Sequence, residues 1–188
     1  MKKLHVTLLL LLSFFISTGQ TTKTIDLKKS KVEWLGKKVT GEHFGTIKLK
    51  SGNITISKEN AITSGEFVVD MSTINCTDLS GKAKQSIESH LKDDDFFDVE
   101  NYPTSTFKIK SSDKNKIYGI MTIKGISKPI EFDYKMESRG GQHIVFSEIK
   151  IDRTKFDIKY GSGSFFENLG DKMIYDDFII NINPIILK

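Results

Sequence analysis

The sequence predicts an all-β fold in which the sheet covers itself, as a closed barrel or a two-sheet sandwich. Two observations support this prediction. Short runs of alternating apolar and polar residues fill most of the chain after residue 19, and a period of two places alternate side chains on opposite faces of a strand. One helical pattern interrupts these runs. Because so little helix cannot cover a sheet, the strands must pack against each other.

The first 19 residues have the pattern of a secretory signal peptide. Lysines at positions 2 and 3 precede an apolar stretch that ends at Ile16, and small residues follow. The stretch is shorter than the ~20 apolar residues that a membrane span needs. We expect cleavage between Gly19 and Gln20, which leaves 20–188 as one exported domain. The sequence does not separate a periplasmic location from a secreted one.

Charge and cysteine content argue against a nucleic-acid-binding protein and against a fold held by disulfides. The formal charge of +4 falls to +2 without Lys2 and Lys3, and acids alternate with the remaining bases along the strands. This pattern indicates a solvated outer face, so we expect no nucleic-acid partner. Cys76 is the only cysteine, so no internal disulfide stabilises the fold. We expect Cys76 to be a small buried residue.

Nine runs predict strands, at 31–39, 43–50, 52–57, 62–72, 104–111, 116–124, 128–137, 143–153 and 173–183. Glycine, serine and asparagine predict tight turns at Ser51-Gly52, Asp113 to Asn115, Gly125 to Lys128 and Arg139 to Gln142. Turns this short favour consecutive antiparallel hairpins.

The positions of the charges define which face of each run points inward. In 130–137, four large apolar residues alternate with four charged ones. The same rule predicts an inward set of Trp34, Ile47, Phe67, Phe107, Phe132 and Tyr134. Asp176 falls in the inward phase of the last run, where a charge is unexpected. Four inward positions are glycines, namely Gly36, Gly45, Gly65 and Gly119, and these either let strands coil closely or leave open volume.

One helix is predicted on the long connection after the fourth run. Ala83, Ile87 and Leu91 recur every four residues, with Asp78 or Ser80 as the cap, and three aspartates from 93 to 95 end the helix near Leu91 or Lys92. Phe96 and Phe97 follow directly. The apolar face and the two rings predict a plug or lid over one mouth of a barrel. The alternative is that they complete the core at that end.

The usual catalytic and metal-binding patterns are missing from the sequence. His43, His90 and His143 lie too far apart for a zinc motif, and Asp93 to Asp95 lack the alternation and glycine of a calcium loop. Gly161 to Ser164 do not match a nucleophile elbow or a phosphate loop. The sequence therefore predicts a protein without catalytic residues or a metal site.

The segment from Ser89 to Phe107, SHLKDDDFFDVENYPTSTF, resembles the hallmark segment of the YceI-like family. That hallmark reads as H-L, a short polar step, D-F-F-D, two or three residues, then P-T and F. Weaker matches lie in order along the chain, at His43-Phe44-Gly45, at Gly119 to Gly125, and at Ile151-Asp152-Arg153 with Lys155-Phe156. The resemblance covers essentially all of 20–188.

This resemblance implies an exported, eight-stranded antiparallel barrel of the lipocalin type, with one short helix capping it. It also implies a long apolar channel that holds polyisoprenoids, isoprenoid quinones or related lipids. The family's L-T turn is Met121-Thr122 here, which alters the channel's shape. The ligand-binding residues expected on this basis are Trp34, Ile47, Phe67, Val69, Ile87, Leu91, Phe96, Phe97, Phe107, Ile109, Met121, Phe132, Tyr134 and Phe178.

The function expected from these features is non-catalytic binding of a long-chain isoprenoid or other lipid. We expect no cofactor apart from a bound isoprenoid lipid or quinone, and no stable membrane span. Two alternatives stay open, an enzyme that uses His43 or Asp176 as acid or base on a lipid or quinone, and a protein-interaction module with a filled barrel. The oligomeric state is not determined by the sequence, which is compatible with a dimer.

Overall fold

The computed structural model describes residues 19–188, so the predicted signal peptide falls outside the described residues apart from Gly19. In chain order the strands of this part are β1 (Thr21–Thr24), β2 (Val32–Lys38), β3 (Gly41–Ile56), β4 (Ile62–Cys76), β5 (Thr104–Ser112), β6 (Lys116–Ile123), β7 (Ile126–Arg139), β8 (Gln142–Asp152) and β9 (Ile174–Leu187). Helix α1 (Gly81–Lys92) follows β4. Two short 3₁₀ turns, Arg153–Phe156 and Gly170–Lys172, lie between β8 and β9.

Strands β2 to β9 form a closed, eight-stranded antiparallel barrel. Neighbours pair in the order β3-β2-β9-β8-β7-β6-β5-β4, and pairing of β4 with β3 closes the ring. Strand β1 pairs with the second half of β3, from Asn53 to Ile56. A barrel has no open sheet edge that must be protected, which suits a fold with so little helix. The predicted all-β barrel with one short helix is confirmed.

The predicted turn at Ser51-Gly52 is wrong, because β3 runs straight through it. A register shift between Leu49 and Ser51 bends the strand, and the ladder with β4 resumes at Ser51, opposite Val68. Glycine at position 52 lets Ile25 pack closely, since a Cβ there would lie 2.2 Å from Cδ1 of Ile25. The runs predicted at 43–50 and 52–57 are therefore one strand, and the short strand β1 was not predicted.

Tight hairpins join the later strands, as the sequence predicts. Lys124 and Gly125, both with positive φ, form the two-residue turn between β6 and β7, one residue earlier than the predicted position. Gly140 and Gly141, with φ of 56° and 80°, form the turn between β7 and β8. Positive φ at both central residues matches the twist of the paired strands.

Helix α1 lies outside the barrel wall and buries no residue completely. It ends at Lys92, as predicted, and its N-cap residue is Ser80, whose side chain makes no capping hydrogen bond. Ala83 is exposed, and Leu91 in the last turn packs against buried side chains of the core. The helix therefore contributes to the interior through its C-terminal end and the residues that follow it.

Candidate ligand cavity

The barrel encloses a cavity of about 180 Å³ that is lined by residues from all eight of its strands. Strands contribute inward residues at every second position, so alternation along the sequence becomes a continuous apolar wall. The polar or charged residues of the lining are few: Lys37, Ser105, Thr106, Ser147, Arg153, Tyr175 and Asp177. An apolar cavity with a few polar groups is the usual form of a site for a small apolar ligand.

Most of the predicted ligand-binding residues come together in this cavity. Those that line it are Trp34, Ile47, Phe67, Val69, Leu91, Phe96, Phe97, Phe107, Ile109, Met121, Phe132 and Phe178. They come from sequence positions far apart, and the barrel register brings them together, as in the ladder that pairs Phe67 with Phe107 and Phe107 with Met121.

Two predicted residues, Ile87 and Tyr134, do not line the cavity. Ile87 lies one turn before Leu91 on α1, and the helix reaches the cavity only with Leu91. Tyr134 packs against the main core cluster, but its hydroxyl donates to the carbonyl of Asp113 at 3.2 Å in the β5–β6 turn. Its ring therefore points towards the end of the barrel, beyond Phe132.

The prediction omitted several residues that line the cavity. Many are aliphatic residues: Leu49, Ile54, Met71, Ile74, Ile117, Ile123, Val145, Ile149, Ile151, Ile180 and Ile182. Alternation was the signal that could have found all of these except Ile74, which a register shift on β4 places out of phase with Met71. There is no such signal for Lys37, Arg153, Tyr175 and Asp177. The bulge between β2 and β9 brings Lys37, Tyr175 and Asp177 to the cavity, and Arg153 is a buried charge that alternation does not predict.

Aromatic rings form two groups along the cavity. In the first, the ring centroids of Phe107 lie 6.4 Å from Phe67 and 5.2 Å from Phe132. In the second, Phe97 lies 5.1 Å from Phe96 and 6.1 Å from Phe178, both edge to face. Such tilted and edge-to-face pairs are favourable in an apolar interior. The second group lies where the segment that follows α1 meets the cavity.

Arg153 is a charged residue of the cavity wall and is almost fully buried, with 1% exposure. Its guanidinium donates to three backbone carbonyls, those of Ile158 at 2.8 Å, Ile174 at 3.0 Å and Tyr175 at 3.1 Å. It also lies over the Phe96 ring, 5.7 Å from the centroid. Burial lowers the pKa of Arg153. With its donors used in this way, Arg153 holds the connection between β8 and β9 together.

Asp176 faces Arg153 from β9, with 3.6 Å between Oδ1 and Nη2. The Ser164 hydroxyl donates to its other carboxylate oxygen at 2.5 Å. Burial alone would raise the pKa of Asp176, but hydrogen bonds from Ser162 and Ser164 and the Arg153 charge hold it below its ordinary value. Asp176 does not line the cavity. Although it falls in the inward phase of β9, its carboxylate faces Ser162 and Ser164.

Trp34 carries an unpaired donor at the cavity wall. Its indole Nε1 is buried and has no hydrogen-bond partner among residues 19–188. A buried N–H without a partner costs ~1–3 kcal/mol. The nitrogen has almost no accessible surface, so the cavity does not reach it.

His43 lies outside the cavity, in a polar cluster at the start of the long connection. Its Nδ1 lies 2.8 Å from Asp78 Oδ2, while Asp78 Oδ1 accepts from the Phe44 N–H at 3.0 Å and the Cys76 thiol at 3.1 Å. Burial opposes the ionised Asp78, but these hydrogen bonds, led by His43, lower its pKa to about 2. Burial, with Asp78 nearby, raises the pKa of the Cys76 thiol. The cluster anchors the connection and leaves Cys76 protonated.

The described residues contain neither a metal-binding cluster nor a membrane-spanning helix. Residues 19–188 bring together no group of three histidine, cysteine, aspartate or glutamate side chains suited to a metal ion. Within the same part of the chain, no helix has the length and apolar character needed to cross a membrane. Neither His43 nor Asp176 lines the cavity, so neither residue proposed as acid or base faces a ligand held there.

Solved structures with the same fold include two that align over most of both chains. BcnA from Burkholderia cenocepacia aligns with a TM-score of 0.70 at 20% identity, covering 87% of this chain and 99% of that one. A polyisoprenoid-binding domain from Saccharophagus degradans, implicated in plant cell wall breakdown, aligns with a TM-score of 0.63 at 11% identity, covering 88% and 97%. At these identities the alignments show the shared fold.

Sequence comparison identifies the family. Protein YceI of Escherichia coli O157:H7 is 29% identical over 130 residues, which make up 64% of this chain and 65% of that protein. The match therefore spans just under two thirds of that relative. The profile of the YceI-like domain matches residues 24–184, which include β2 to β8 and most of β9. The chain belongs to the YceI-like family.

Proposed function

We propose that this protein is a non-catalytic, exported carrier that holds one long apolar amphiphile, a polyisoprenoid or isoprenoid quinone, inside its barrel. The apolar cavity, lined from all eight strands, is the observation on which this rests. Its aliphatic and aromatic walls match the methyl-branched chain of a prenyl lipid. The polyisoprenoid-binding domain of Saccharophagus degradans, which has the same fold, supports this ligand class.

Burial of the prenyl chain supplies the driving force. Covering ~400 Å² of ligand apolar surface contributes roughly 10 kcal/mol at ~25 cal/mol per Å², before the costs of association are subtracted. The lumen needs few polar contacts for this. No metal or organic cofactor has a role in the proposal.

Export follows from the N-terminal segment, in which Lys2, Lys3 and the apolar stretch to Ile16 have the pattern of a signal peptide. A carrier of prenyl lipids is useful in an aqueous compartment, where such lipids are insoluble. Expression of the full chain should give a product that begins at Gln20 outside the cytoplasm. A product that retains residues 1–19 in the cytoplasm would contradict export.

Extraction of the bound lipid tests the binding function. The full chain is purified from its native host and extracted with organic solvent, and the extract is analysed by mass spectrometry. A prenyl lipid in near-equimolar amount is the expected result. Only phospholipids at background level, or no lipid, would contradict the proposal.

A matched pair of variants on β4 tests whether the lipid is bound in the lumen. Val69 lines the cavity, whereas its neighbour Val68 lies on the opposite face of the strand. Val69→Phe should reduce the recovered lipid, and Val68→Phe should not. Loss of lipid in both variants, or in neither, would place the lipid outside the cavity.

A further inference from the structure

The hydrogen-bond ladder between β2 and β9 has a gap. The ladder runs from Val32, opposite Ile182, to Gly36, opposite Phe178, and resumes with Lys38 opposite Ile174. Between the last two pairs, Lys37 of β2 faces three residues of β9, from 175 to 177. Extra residues in one strand interrupt the ladder hydrogen bonds and bend that strand away. We call this gap, from Gly36 to Lys38 and from Ile174 to Phe178, the β2–β9 window.

Residues of the window line the cavity and are also exposed to solvent. Lys37, Tyr175 and Asp177 all line the cavity, yet the Lys37 and Asp177 side chains are 49% and 44% exposed, and Tyr175 is 49% exposed. Gly36 also lines the cavity, and a Cβ built on it would have no atom within 4 Å beyond its chain neighbours. Residues that face both the cavity and solvent mark an opening, and glycine at position 36 leaves it clear.

Side chains from the β8–β9 connection hold the β9 side of the window in place. Arg153 donates to the carbonyls of Ile174 and Tyr175, and Ser164 donates to the carboxylate of Asp176. Backbone groups that leave a ladder usually need other partners, and here a buried guanidinium provides them. The gap is thus stabilised by its own set of hydrogen bonds.

The charges around the window are already paired. Lys37 lies 3.7 Å from Glu42, Lys150 lies 2.8 Å from Asp177, and Arg153 lies 3.6 Å from Asp176. A phosphorylated head group would therefore meet carboxylates as often as cations. A neutral head with a hydroxyl or carbonyl group requires no unpaired cation.

We propose that a prenyl ligand enters through the β2–β9 window tail first, and that its uncharged polar head stays at the window. This inference rests on the proposed binding function and adds the route and the head-group class. A side chain at Gly36 would project into the opening. The position has no positive φ, so a larger residue there fits the strand conformation.

Exchange kinetics test the route. The purified full chain is loaded with radiolabelled geranylgeraniol, and transfer to excess phosphatidylcholine vesicles is followed in time. Gly36→Phe should slow transfer by about tenfold or more, since the route is narrowed without loss of lumen contacts. Tyr175→Ala, which shortens an exposed rim side chain, should speed it. Leu35→Phe is the control, because Leu35 precedes Gly36 on β2 and is absent from the cavity lining.

Thermal unfolding of each variant accompanies the kinetics. If wild type binds geranylgeraniol, wild-type transfer rates in both Gly36→Phe and Tyr175→Ala would overturn the proposed entry route. If Gly36→Phe fails to fold, the direction of the Tyr175→Ala effect decides. Wild type that binds no geranylgeraniol would instead refute the binding function itself.

Competition between two ligands with the same tail tests the head-group class. Unlabelled geranylgeraniol should displace the radiolabelled geranylgeraniol at a concentration about tenfold or more below that needed for geranylgeranyl diphosphate. The cations around the window are already paired with carboxylates, so the diphosphate gains no free partner there. Equal potency, or stronger competition by the diphosphate, would overturn the assignment of an uncharged head.

Discussion

The indole of Trp34 lies against Gly45, its partner across the β2–β3 ladder. A Cβ on Gly45 would sit 2.9 Å from Cε2 of the ring and 1.9 Å from the carbonyl oxygen of Asn75. Two residues further along β2, a Cβ on Gly36 would meet no atom within 4 Å. These two inward glycines therefore have opposite roles, since Gly45 allows close packing and Gly36 leaves open space.

This difference predicts opposite outcomes for the same substitution. Gly45→Ala should lower the free energy of unfolding by about 1–3 kcal/mol, because the added methyl group displaces Trp34 or the β4 backbone. Gly36→Ala should change it by no more than about 0.5 kcal/mol. Urea unfolding of both variants measures the effect. Equal losses in the two variants would contradict the assignment.

Alternation in the sequence was sufficient to predict the barrel interior, but it could not separate these glycines. Gly45, Gly65 and Gly119 each leave room for an atom of another strand, and the identity of that atom depends on the barrel register. Inward aromatic residues such as Phe67 and Phe107 were predictable because a period of two is a local property. Contacts between strands are not local, so the role of each glycine emerged only from the fold.

The sequence contains one indication of the window, which is a charged residue at an inward position. Asp176 falls in the inward phase of β9, where a charge has no place in an apolar lumen. The ladder resolves this, because β9 carries extra residues opposite Lys37 and turns Asp176 towards Ser164 and Arg153. A charge out of phase thus indicated a bulge. The length of the bulge and the buried arginine beside it could not be read from a single strand.

Arg153 is predicted to stabilise the fold and to have no catalytic part. Arg153→Met removes the donors to Ile158, Ile174 and Tyr175 and leaves Asp176 without its cation, so unfolding should require about 3–5 kcal/mol less. Calorimetry or denaturant unfolding measures this loss. Arg139→Met, at an arginine whose side chain is 70% exposed, is the control and should melt close to wild type. Wild-type stability in Arg153→Met, or lipid turnover that depends on Arg153 alone, would refute the prediction.

Asp78 should make stability depend on pH in the acid range. Its pKa is about 2 in the folded state, through hydrogen bonds from His43, Phe44 and Cys76 that outweigh burial, against about 3.9 for an unfolded aspartate. A lowered folded-state pKa gives stability that is fully present above pH ~4 and is lost as the pH falls towards 2. Asp78→Asn should remove that part of the pH dependence. Asp94→Asn, at an exposed carboxylate, should keep it, and an unchanged acid profile in Asp78→Asn would disprove the assignment.

The segment after α1 is predicted to be part of the core. Leu91 and Phe97 line the cavity and also pack against the cluster of Met71, Ile74 and Val99, so they connect the helix end to the barrel. Leu91→Ala and Phe97→Ala should each cost ~2–5 kcal/mol of stability through the cavities they leave. The rate of prenyl transfer from the remaining folded protein should not change, because the ligand passes through the β2–β9 window. Ile87→Ala, on the same helix but away from the lumen, should cost less. Faster transfer from Leu91→Ala and Phe97→Ala, with the barrel still stable, would identify this segment as the gate.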